Sequence, residues 1–228
     1  MRTEKHDVDF MFEASVAGGI PIITPLKQMF KLRIKSQKLI GIVNGTTNYM
    51  LTKMTEQGMD YDTALARAQA KGYAEADPTA DVAGLDAARK AAILSSIAFN
   101  TRVSLEDVKV EGITNITPED ITYAKELGYI IKLLAIAKHT EDGIDVRVHP
   151  TFIDKDHPLA SVRNVFNAIF IHGNAVGDTM FYGKGAGERP TASAVLADII
   201  DVARDMGKDR FGKIRCTCYE EKTIVSTR

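Results

Sequence analysis

The residues most able to do chemistry lie in one stretch, GYAEADPTADVAGLDAARK, which spans residues 72–90. It contains four carboxylates, ends on two cations and leads into the uncharged run AAILSSIAF. Pro78 suits the first position of a helix, with Asp77 as the helix cap. At about 100° per residue, Asp86 and Lys90 then fall inside a stripe of apolar residues.

The stripe itself explains why these charges need a partner. Its members are Val82, Leu85, Ile93, Leu94 and Ile97. Arg89 falls near the edge of the stripe, and the opposite side of the helix carries alanine and serine. Such a helix is predicted to be buried on nearly all sides. Its charges must therefore be paired or must face a polar cavity.

Two interpretations of Asp86 and Lys90 follow from the residues alone. Their four-residue spacing is typical of an ion pair within a helix, which would be a structural feature. A lysine held beside a carboxylate and away from bulk water is also a general acid that can exchange a proton with a substrate oxygen. Glu75 and Asp81, in the loop ahead, could converge on the same cavity. Three carboxylates around one lysine carry more negative charge than a structural ion pair requires. A cationic group of the substrate would balance this excess negative charge.

A second segment, YGKGAGERPTASAV, places Gly183, Gly185 and Gly187 just before a helix predicted from Pro190 to Met206. Glycines let a backbone approach a ligand closely, and a helix N-terminus favours an anion such as a phosphate. The spacing is not that of the dinucleotide-binding fingerprint. A flexible turn before a helix is the alternative, and the spacing alone does not decide between the two.

A third segment, FEASVAGGIPII, contains a lone acid, Glu13, in a predicted strand from Phe10 to Val16 that ends in a turn at Gly18-Gly19. Glu13 is either a ligand for a hard cation, together with exposed carbonyls, or an acid at a strand end that faces solvent. None of the five histidines, which include His6, has a second at metal-ligand spacing. Without a Ser-His-Asp or Cys-His pattern, nucleophilic catalysis is unsupported.

The other elements are predicted from caps, turn residues and apolar runs. They comprise a helix through Leu32, a strand over QKLIGIV, a helix after Asn44-Gly45 with Thr46 or Thr47 as cap, and a helix from Asp60 to Gly72. A strand from Val108 to Ile113 and a helix capped by Thr117 follow, and then two hairpins turning at residues 141–143 and at Gly173-Asn174. Helices and strands mix without strict alternation, so the predicted fold is α+β, an open mixed or antiparallel sheet covered by helices.

The composition excludes some classes of partner. The 228 residues carry a net charge of −1, which argues against nucleic acid or an anionic membrane held by bulk electrostatics. No apolar run is long enough to span a membrane. Cys216 and Cys218 are too close in sequence for a disulfide between them to stabilise the fold. The expected compartment is therefore the reducing cytoplasm. A Cys-x-Cys metal or redox site without nearby histidines is a weaker alternative to two plain thiols.

Four segments in order closely resemble homoserine dehydrogenase over about residues 10–207. They are FEASVAGGIPII, GIVNGTTNYMLTKM, GYAEADPTADVAGLDAARK and YGKGAGERPTASAV. The resemblance implies reduction of L-aspartate 4-semialdehyde to L-homoserine with NADPH or NADH, on the route to threonine and methionine. By motif position, Lys90 would be the catalytic proton donor to the aldehyde oxygen, beside Asp86. Glu75 and Asp86 would bind the substrate, chiefly its ammonium group, and Asp81 would support them.

The resemblance also implies two further sites. Glu13, Val16, Gly18 and Ile20 match the family's monovalent-cation site, usually for sodium, built from one carboxylate and three backbone carbonyls. Gly72, Gly185 and Gly187 fall where the NADP or NAD cofactor would approach the chain.

The same resemblance suggests a domain organisation. Residues 1–36 would be the remaining end of a Rossmann nucleotide-binding domain and 37–183 the catalytic and dimerisation domain of a homodimer. Residues 184–214 would hold a helix that returns to the nucleotide-binding domain, and 215–228 a C-terminal tail. Relatives begin with a Gly-rich Rossmann half and a lysine-bearing loop near the nicotinamide, and many continue into a regulatory ACT domain.

Two hypotheses follow. In the first, the chain is a catalytic fragment or truncated reading frame, with little or no turnover alone because most of the cofactor domain is absent. In the second, it is a non-catalytic dimerising module that keeps the fold and the pocket.

Overall fold

The computed structural model describes residues 10–31, 36–206 and 221–225, so His6, Cys216 and Cys218 lie outside the described residues. The helices are α1 (Ile23–Lys31), α2 (Gly45–Gln57), α3 (Tyr61–Ala70), α4 (Thr79–Val82), α5 (Leu85–Ala98), α6 (Pro118–Glu126) and α7 (Glu188–Asp205). The strands are β1 (Ser36–Ile42), β2 (Lys109–Val110), β3 (Tyr129–Thr140), β4 (Gly143–Asp154), β5 (Phe166–Gly173), β6 (Gly177–Lys184) and β7 (Ile224–Val225). Within the described ranges, every helix is too short or too polar to cross a membrane.

The strands form one mixed sheet in the order β2-β4-β3-β1-β5-β6, and β7 also pairs with β4. The four long strands and β1 pair antiparallel with their neighbours, whereas β2 and β7 run parallel to β4. The predicted α+β fold and both predicted hairpins are confirmed. The run YIIKLLAIAKHT, whose first half could have been helical, forms strand β3 throughout.

Strand β3 is apolar at every position from Ile130 to Ala137 except Lys132, because both faces of the sheet are covered there. On one face, Ile131 and Leu133 belong to the main core, against which α2, α5 and α6 pack. On the other face, Leu134 and Ile136 pack with Leu159 and neighbouring residues of the segment after β4. A strand buried on both faces shows a continuous apolar run instead of alternation.

Two helix starts differ from the predictions. Asn44, rather than Thr46 or Thr47, caps α2, and its Oδ1 accepts the Thr47 N–H at 2.9 Å. The single helix predicted from Pro78 is two helices, because the chain turns at Gly84 with φ = 82° between α4 and α5. The cap of α4 is Pro78 and not Asp77 as predicted, although Asp77 Oδ1 accepts the Thr79 N–H at 3.1 Å.

Of the three strands predicted outside the hairpins, the one over QKLIGIV is confirmed as β1, and the other two were wrong or too long. No strand covers Phe10–Val16, where Glu13–Ser15 form a short 3-10 turn. The strand predicted over Val108–Ile113 is reduced to β2, because Ile113 donates its N–H to the Val82 carbonyl at 2.8 Å.

The predicted helix ends are mostly confirmed. The cap at Asp60 and the Thr117 capping box are present. Helix α7 begins at Glu188, two residues before the predicted start, and ends at Asp205.

Candidate active site

An ion pair on α5 lies at the centre of the candidate site. Lys90 Nζ donates to Asp86 Oδ2 at 2.7 Å, one helical turn away, and also to the Val43 carbonyl at 3.1 Å. The Lys90 side chain is 20% exposed and the Asp86 side chain 30%. The pair is therefore partly open to solvent, as a group that meets a ligand must be. Arg89 is exposed, so the prediction that α5 is buried on nearly all sides was wrong on that side.

Asn44 joins Asp81 to this pair. Its Nδ2 donates to Asp81 Oδ1 at 2.7 Å and to Asp86 Oδ2 at 2.9 Å. Asp81, Asp86 and Lys90, three of the four groups predicted to converge, thus belong to one hydrogen-bonded cluster. The sequence reasoning missed Asn44, which it assigned only to a turn. Its position directly after a buried strand and before Gly45 was the signal available.

The charges of the cluster do not balance. Two carboxylates meet one ammonium group, so the cluster of Asp81, Asp86 and Lys90 has a net charge of −1 when all three ionise. Among the described residues, Asp81 Oδ2 and Asp86 Oδ1 accept no hydrogen bond, and each carboxylate therefore keeps one oxygen for a ligand. A ligand cation such as an ammonium group would balance this charge.

Glu75 is exposed on the loop between α3 and α4. Within the described part of the chain, its carboxylate forms no hydrogen bond or ion pair with Asn44, Asp86 or Lys90. The loop itself lies beside the start of α2, because Thr46 Oγ1 donates to the Tyr73 carbonyl at 2.5 Å. Gln69 Nε2 also holds the loop through the Glu75 carbonyl at 3.0 Å.

The three candidate cofactor glycines have different surroundings. Gly72 has φ = 71° and open space where a Cβ would lie, and Gly187 has φ = 115° at the start of α7. No side chain caps α7 at Gly187, which leaves N–H groups of its first turn for an anion. A Cβ on Gly185 would collide with the Asn167 side chain, whose buried Oδ1 has no hydrogen-bond partner among the described residues. An unpaired hydrogen-bond acceptor next to a glycine is suited to bind a hydrogen-bond donor of a ligand.

Backbone packing also requires glycine near this point. A Cβ on Gly18 would lie 2.6 Å from the Gly185 carbonyl oxygen, and one on Gly19 would lie 2.7 Å from Pro190 Cβ. Gly19 donates its N–H to the Lys184 carbonyl at 3.3 Å. The segments FEASVAGGIPII and YGKGAGERPTASAV therefore lie directly against each other.

Glu13 is buried, with 7% of its surface exposed, so the alternative that it faces solvent was wrong. Its carboxylate accepts N–H groups at the start of α1, from Ile22 and Ile23 on Oε1 at 2.6 and 2.7 Å and from Thr24 on Oε2 at 2.9 Å. This capping contact explains why the chain coils at Glu13 instead of extending as a strand. Oε2 retains capacity for one further partner.

The turn that follows Glu13 carries the other candidate cation ligands. Ala17 and Gly18 are consecutive left-handed residues, with φ = 60° and 52°, and they turn the chain sharply between Val16 and Ile20. Val16 and Ile20 are buried. Among the described residues, no group of three or more His, Cys, Asp or Glu side chains is arranged for a metal.

A second lysine, Lys132 on β3, is more deeply buried than Lys90, with 3% exposed. Its Nζ donates to Asn48 Oδ1 at 2.9 Å and to the Val162 carbonyl at 2.6 Å. Burial lowers the pKa of Lys132 to about 8, Glu56 opposes this shift, and Arg163 adds to it.

The fold and the site can now be compared with known proteins. A family model described as homoserine dehydrogenase matches residues 21–200, most of the chain. The chain belongs to the homoserine dehydrogenase family. The homoserine dehydrogenase of Synechocystis sp. is 54% identical over 202 residues, covering 87% of this chain and 46% of the relative. That of Bacillus subtilis is 51% identical over 203 residues, covering 89% and 47%.

Solved structures of homoserine dehydrogenases share this fold. The crystal structure of the Thiobacillus denitrificans protein has a TM-score of 0.86 and 48% identity, covering 90% of this chain and 48% of that one. A hyperthermophilic archaeal homoserine dehydrogenase in complex with NADPH has a TM-score of 0.76 and 30% identity, covering 89% and 58%. This chain spans about half the length of the curated relatives it matches.

Proposed function

We propose that this chain is the substrate-binding and catalytic part of a homoserine dehydrogenase that reduces L-aspartate 4-semialdehyde to L-homoserine with NADPH or NADH. The observation that carries the proposal is the connected cluster of Asn44, Asp81, Asp86 and Lys90. It combines a proton donor with a net negative charge, which a substrate that has both an aldehyde and an ammonium group requires.

Lys90 donates the proton to the aldehyde oxygen and accepts it again in the reverse reaction. Of its three N–H groups, one is held by Asp86 and one by the Val43 carbonyl, which leaves the third for the substrate. The nicotinamide cofactor, when bound, supplies the hydride to the carbonyl carbon. Asp86 orients the ammonium group of Lys90 and stabilises its charge.

The substrate ammonium group binds the free oxygens of Asp81 and Asp86. Glu75 would complete this site from the loop between α3 and α4. Support for its role comes from the contact of Thr46 with the Tyr73 carbonyl, which keeps that loop beside the cluster. Closure of the loop over the substrate would bring the Glu75 carboxylate to the ammonium group.

The cofactor would approach the chain at Gly72, Gly185 and Gly187. The uncapped start of α7 and the unpaired Oδ1 of Asn167 support this assignment, because both can bind polar groups of a nucleotide. Support also comes from the related archaeal protein, which was solved in complex with NADPH.

A monovalent cation, sodium in preference, would bind Glu13 Oε2 and the backbone carbonyls of Val16, Gly18 and Ile20. The sharp turn at residues 17–18 and the remaining capacity of the Glu13 carboxylate support this site. The cation would stabilise the turn at residues 17–18, which packs against Gly185.

The domain organisation and assembly belong to the same proposal, with boundaries at residues 36, 183 and 214. Helix α7 exposes an apolar side, on which Leu196 and Ile199 are each 57% exposed, and a nucleotide-binding domain would cover it. A homodimer would use the long sheet, at whose edge Met180 and Tyr182 are exposed. We expect the protein to act in the cytoplasm.

The test is oxidation of L-homoserine with NADP+ or NAD+, measured beside binding of L-homoserine by calorimetry. In a homoserine dehydrogenase that contains this chain together with a cofactor domain, Lys90→Ala should bind homoserine and lose turnover, whereas Arg89→Ala, which replaces the adjacent exposed cation, should behave as wild type. Homoserine binding without turnover in the wild-type chain would identify a substrate-binding part that needs a separate cofactor domain. A wild-type chain that binds homoserine, dimerises and stays inactive after a cofactor domain is supplied would favour the second candidate, a dimerising module that keeps the pocket. No homoserine binding at all would contradict the proposal, because both candidates keep the substrate pocket.

A further inference from the structure

Asn44 occupies an unusual position at the junction of β1 and α2. The residue is 5% exposed, and its side chain lies between the helix that it caps and the two carboxylates of the site. Its hydrogen bonds to Asp81 and Asp86 cross 37 and 42 residues of sequence, so no local structure imposes them.

Every hydrogen-bonding position of this amide is used. Nδ2 donates one N–H to Asp81 and one to Asp86, while Oδ1 accepts the Thr47 N–H and the Thr47 hydroxyl, both at 2.9 Å. A primary amide has two donors and two acceptor lone pairs, so none is left over. The reversed amide would place its oxygen against two carboxylates, and the observed orientation is therefore the only one that satisfies them.

The two carboxylates need such a link because they repel each other. Asp81 lies on α4 and Asp86 on α5, on either side of the turn at Gly84. Of the two carboxylates, Lys90 forms its ion pair with Asp86. The Asn44 amide is the group, among the described residues, that donates to both, and it offsets part of their repulsion while leaving one oxygen of each exposed to a ligand.

The turn that carries Asn44 is itself fixed from the opposite side. Asn48, one turn further along α2, donates to the Val162, Asn164 and Phe166 carbonyls at 3.3, 2.9 and 3.1 Å. Its Oδ1 accepts from the buried Lys132. A Cβ on Gly45 would lie 2.9 Å from the Val165 carbonyl oxygen, so the helix start lies tightly against the same segment.

We propose that Asn44 is a positioning residue that holds Asp81 and Asp86 at the separation needed to bind the substrate ammonium group. This inference rests on the proposed function. Asn44 does not touch the reacting atoms and acts through the two carboxylates.

Replacing Asn44 by serine separates this role from helix capping. Serine caps a helix about as well as asparagine but has no NH2 group to bridge the carboxylates. Asn44→Asp also keeps the cap, and it adds a third carboxylate to the cluster. Asp60→Ala is the matched control, because Asp60 caps α3 through the Thr63 N–H at 2.7 Å and makes no contact with the cluster. Losing that cap should lower Tm by about 2–4 °C and leave homoserine binding unchanged.

The 228-residue chain should show two effects in Asn44→Ser. Its Tm should fall by about 2–4 °C, as in Asp60→Ala, because two hydrogen bonds to partly exposed carboxylates are lost, while its affinity for L-homoserine, measured by calorimetry, falls at least tenfold. A crystal structure of Asn44→Ser should show Asp81 moved away from Asp86. Asn44→Asp should separate Asp81 and Asp86 further than Asn44→Ser does, because its added carboxylate repels both.

Wild-type affinity in Asn44→Ser, or unchanged positions of Asp81 and Asp86 in its crystal structure, would overturn the inference and leave Asn44 as a cap. If the wild-type chain binds no homoserine, the proposed function fails separately. The crystal structure of the variant still decides in that case whether Asn44 positions the carboxylates.

Discussion

Replacing the buried Lys132 by methionine should remove part of the pH dependence of stability. Burial lowers the pKa of Lys132 from its ordinary value of 10.5 to about 8 in the folded chain. Between these pH values the unfolded chain keeps the proton that the folded chain has released, so the free energy of unfolding rises with pH. Below pH 8 both states are protonated, and the folded state carries the full cost of a buried charge.

The shift of about 2.5 pH units corresponds to about 3 kcal/mol over the whole range. Between pH 7.5 and 9.5, the two pKa values give about 2 kcal/mol of this gain. Lys132→Met lacks the titrating group and should lose this increment. The loss of the donor to Asn48 Oδ1 and the Val162 carbonyl should cost about 1–3 kcal/mol, and removal of the buried charge opposes this cost below pH 8, so the change between the two pH values is the decisive quantity.

The assay is urea unfolding at pH 7.5 and 9.5 for the wild type, Lys132→Met and Lys125→Met. Lys125 is exposed on α6, so its replacement controls for removal of any lysine. The wild type and Lys125→Met should gain about 2 kcal/mol more than Lys132→Met between the two pH values. Equal gains in all three proteins would refute the reasoning, because Lys132 would then titrate alike in the folded and unfolded chains.

Three other substitutions test separate features. Gly185→Ala should destabilise the chain by more than about 2 kcal/mol, because the added Cβ collides with Asn167. Gly72→Ala, where the Cβ enters open space, should cost about 1 kcal/mol through its positive φ alone. Equal midpoints of urea unfolding for the two variants would contradict this. Glu13→Gln should destabilise the start of α1 by about 1 kcal/mol. It should also abolish any increase in Tm that NaCl gives over choline chloride. A sodium effect that persists in the variant would exclude Glu13 as a ligand of the cation. Asp86→Asn should reduce homoserine affinity at least tenfold in calorimetry, and unchanged binding would remove Asp86 from the ammonium site.

The part of the site that follows helical spacing was predictable. Asp86 and Lys90 are four residues apart on one helix, and their ion pair forms as expected. Asn44 was not predictable as their partner, because its contacts depend on how β1 and α2 meet α4 and α5. The role of Glu13 was missed for a related reason. An apolar run of this length suits a strand, and nothing in its pattern shows that the carboxylate will cap the next helix.

The sequence by itself determined the elements whose signals act within one turn or one hairpin. The caps at Asp60 and Thr117 and the hairpins β3–β4 and β5–β6 all belong to this class, since neighbouring residues supply their hydrogen bonds. Tertiary structure alone decided which distant groups meet. One example is the amide of Asn44 between Asp81 and Asp86, and another is the close approach of Gly18 to Gly185. Both depend on packing between elements far apart in the chain. Like charges and crowded backbones are tolerated there because the close-packed core around them holds the elements in place.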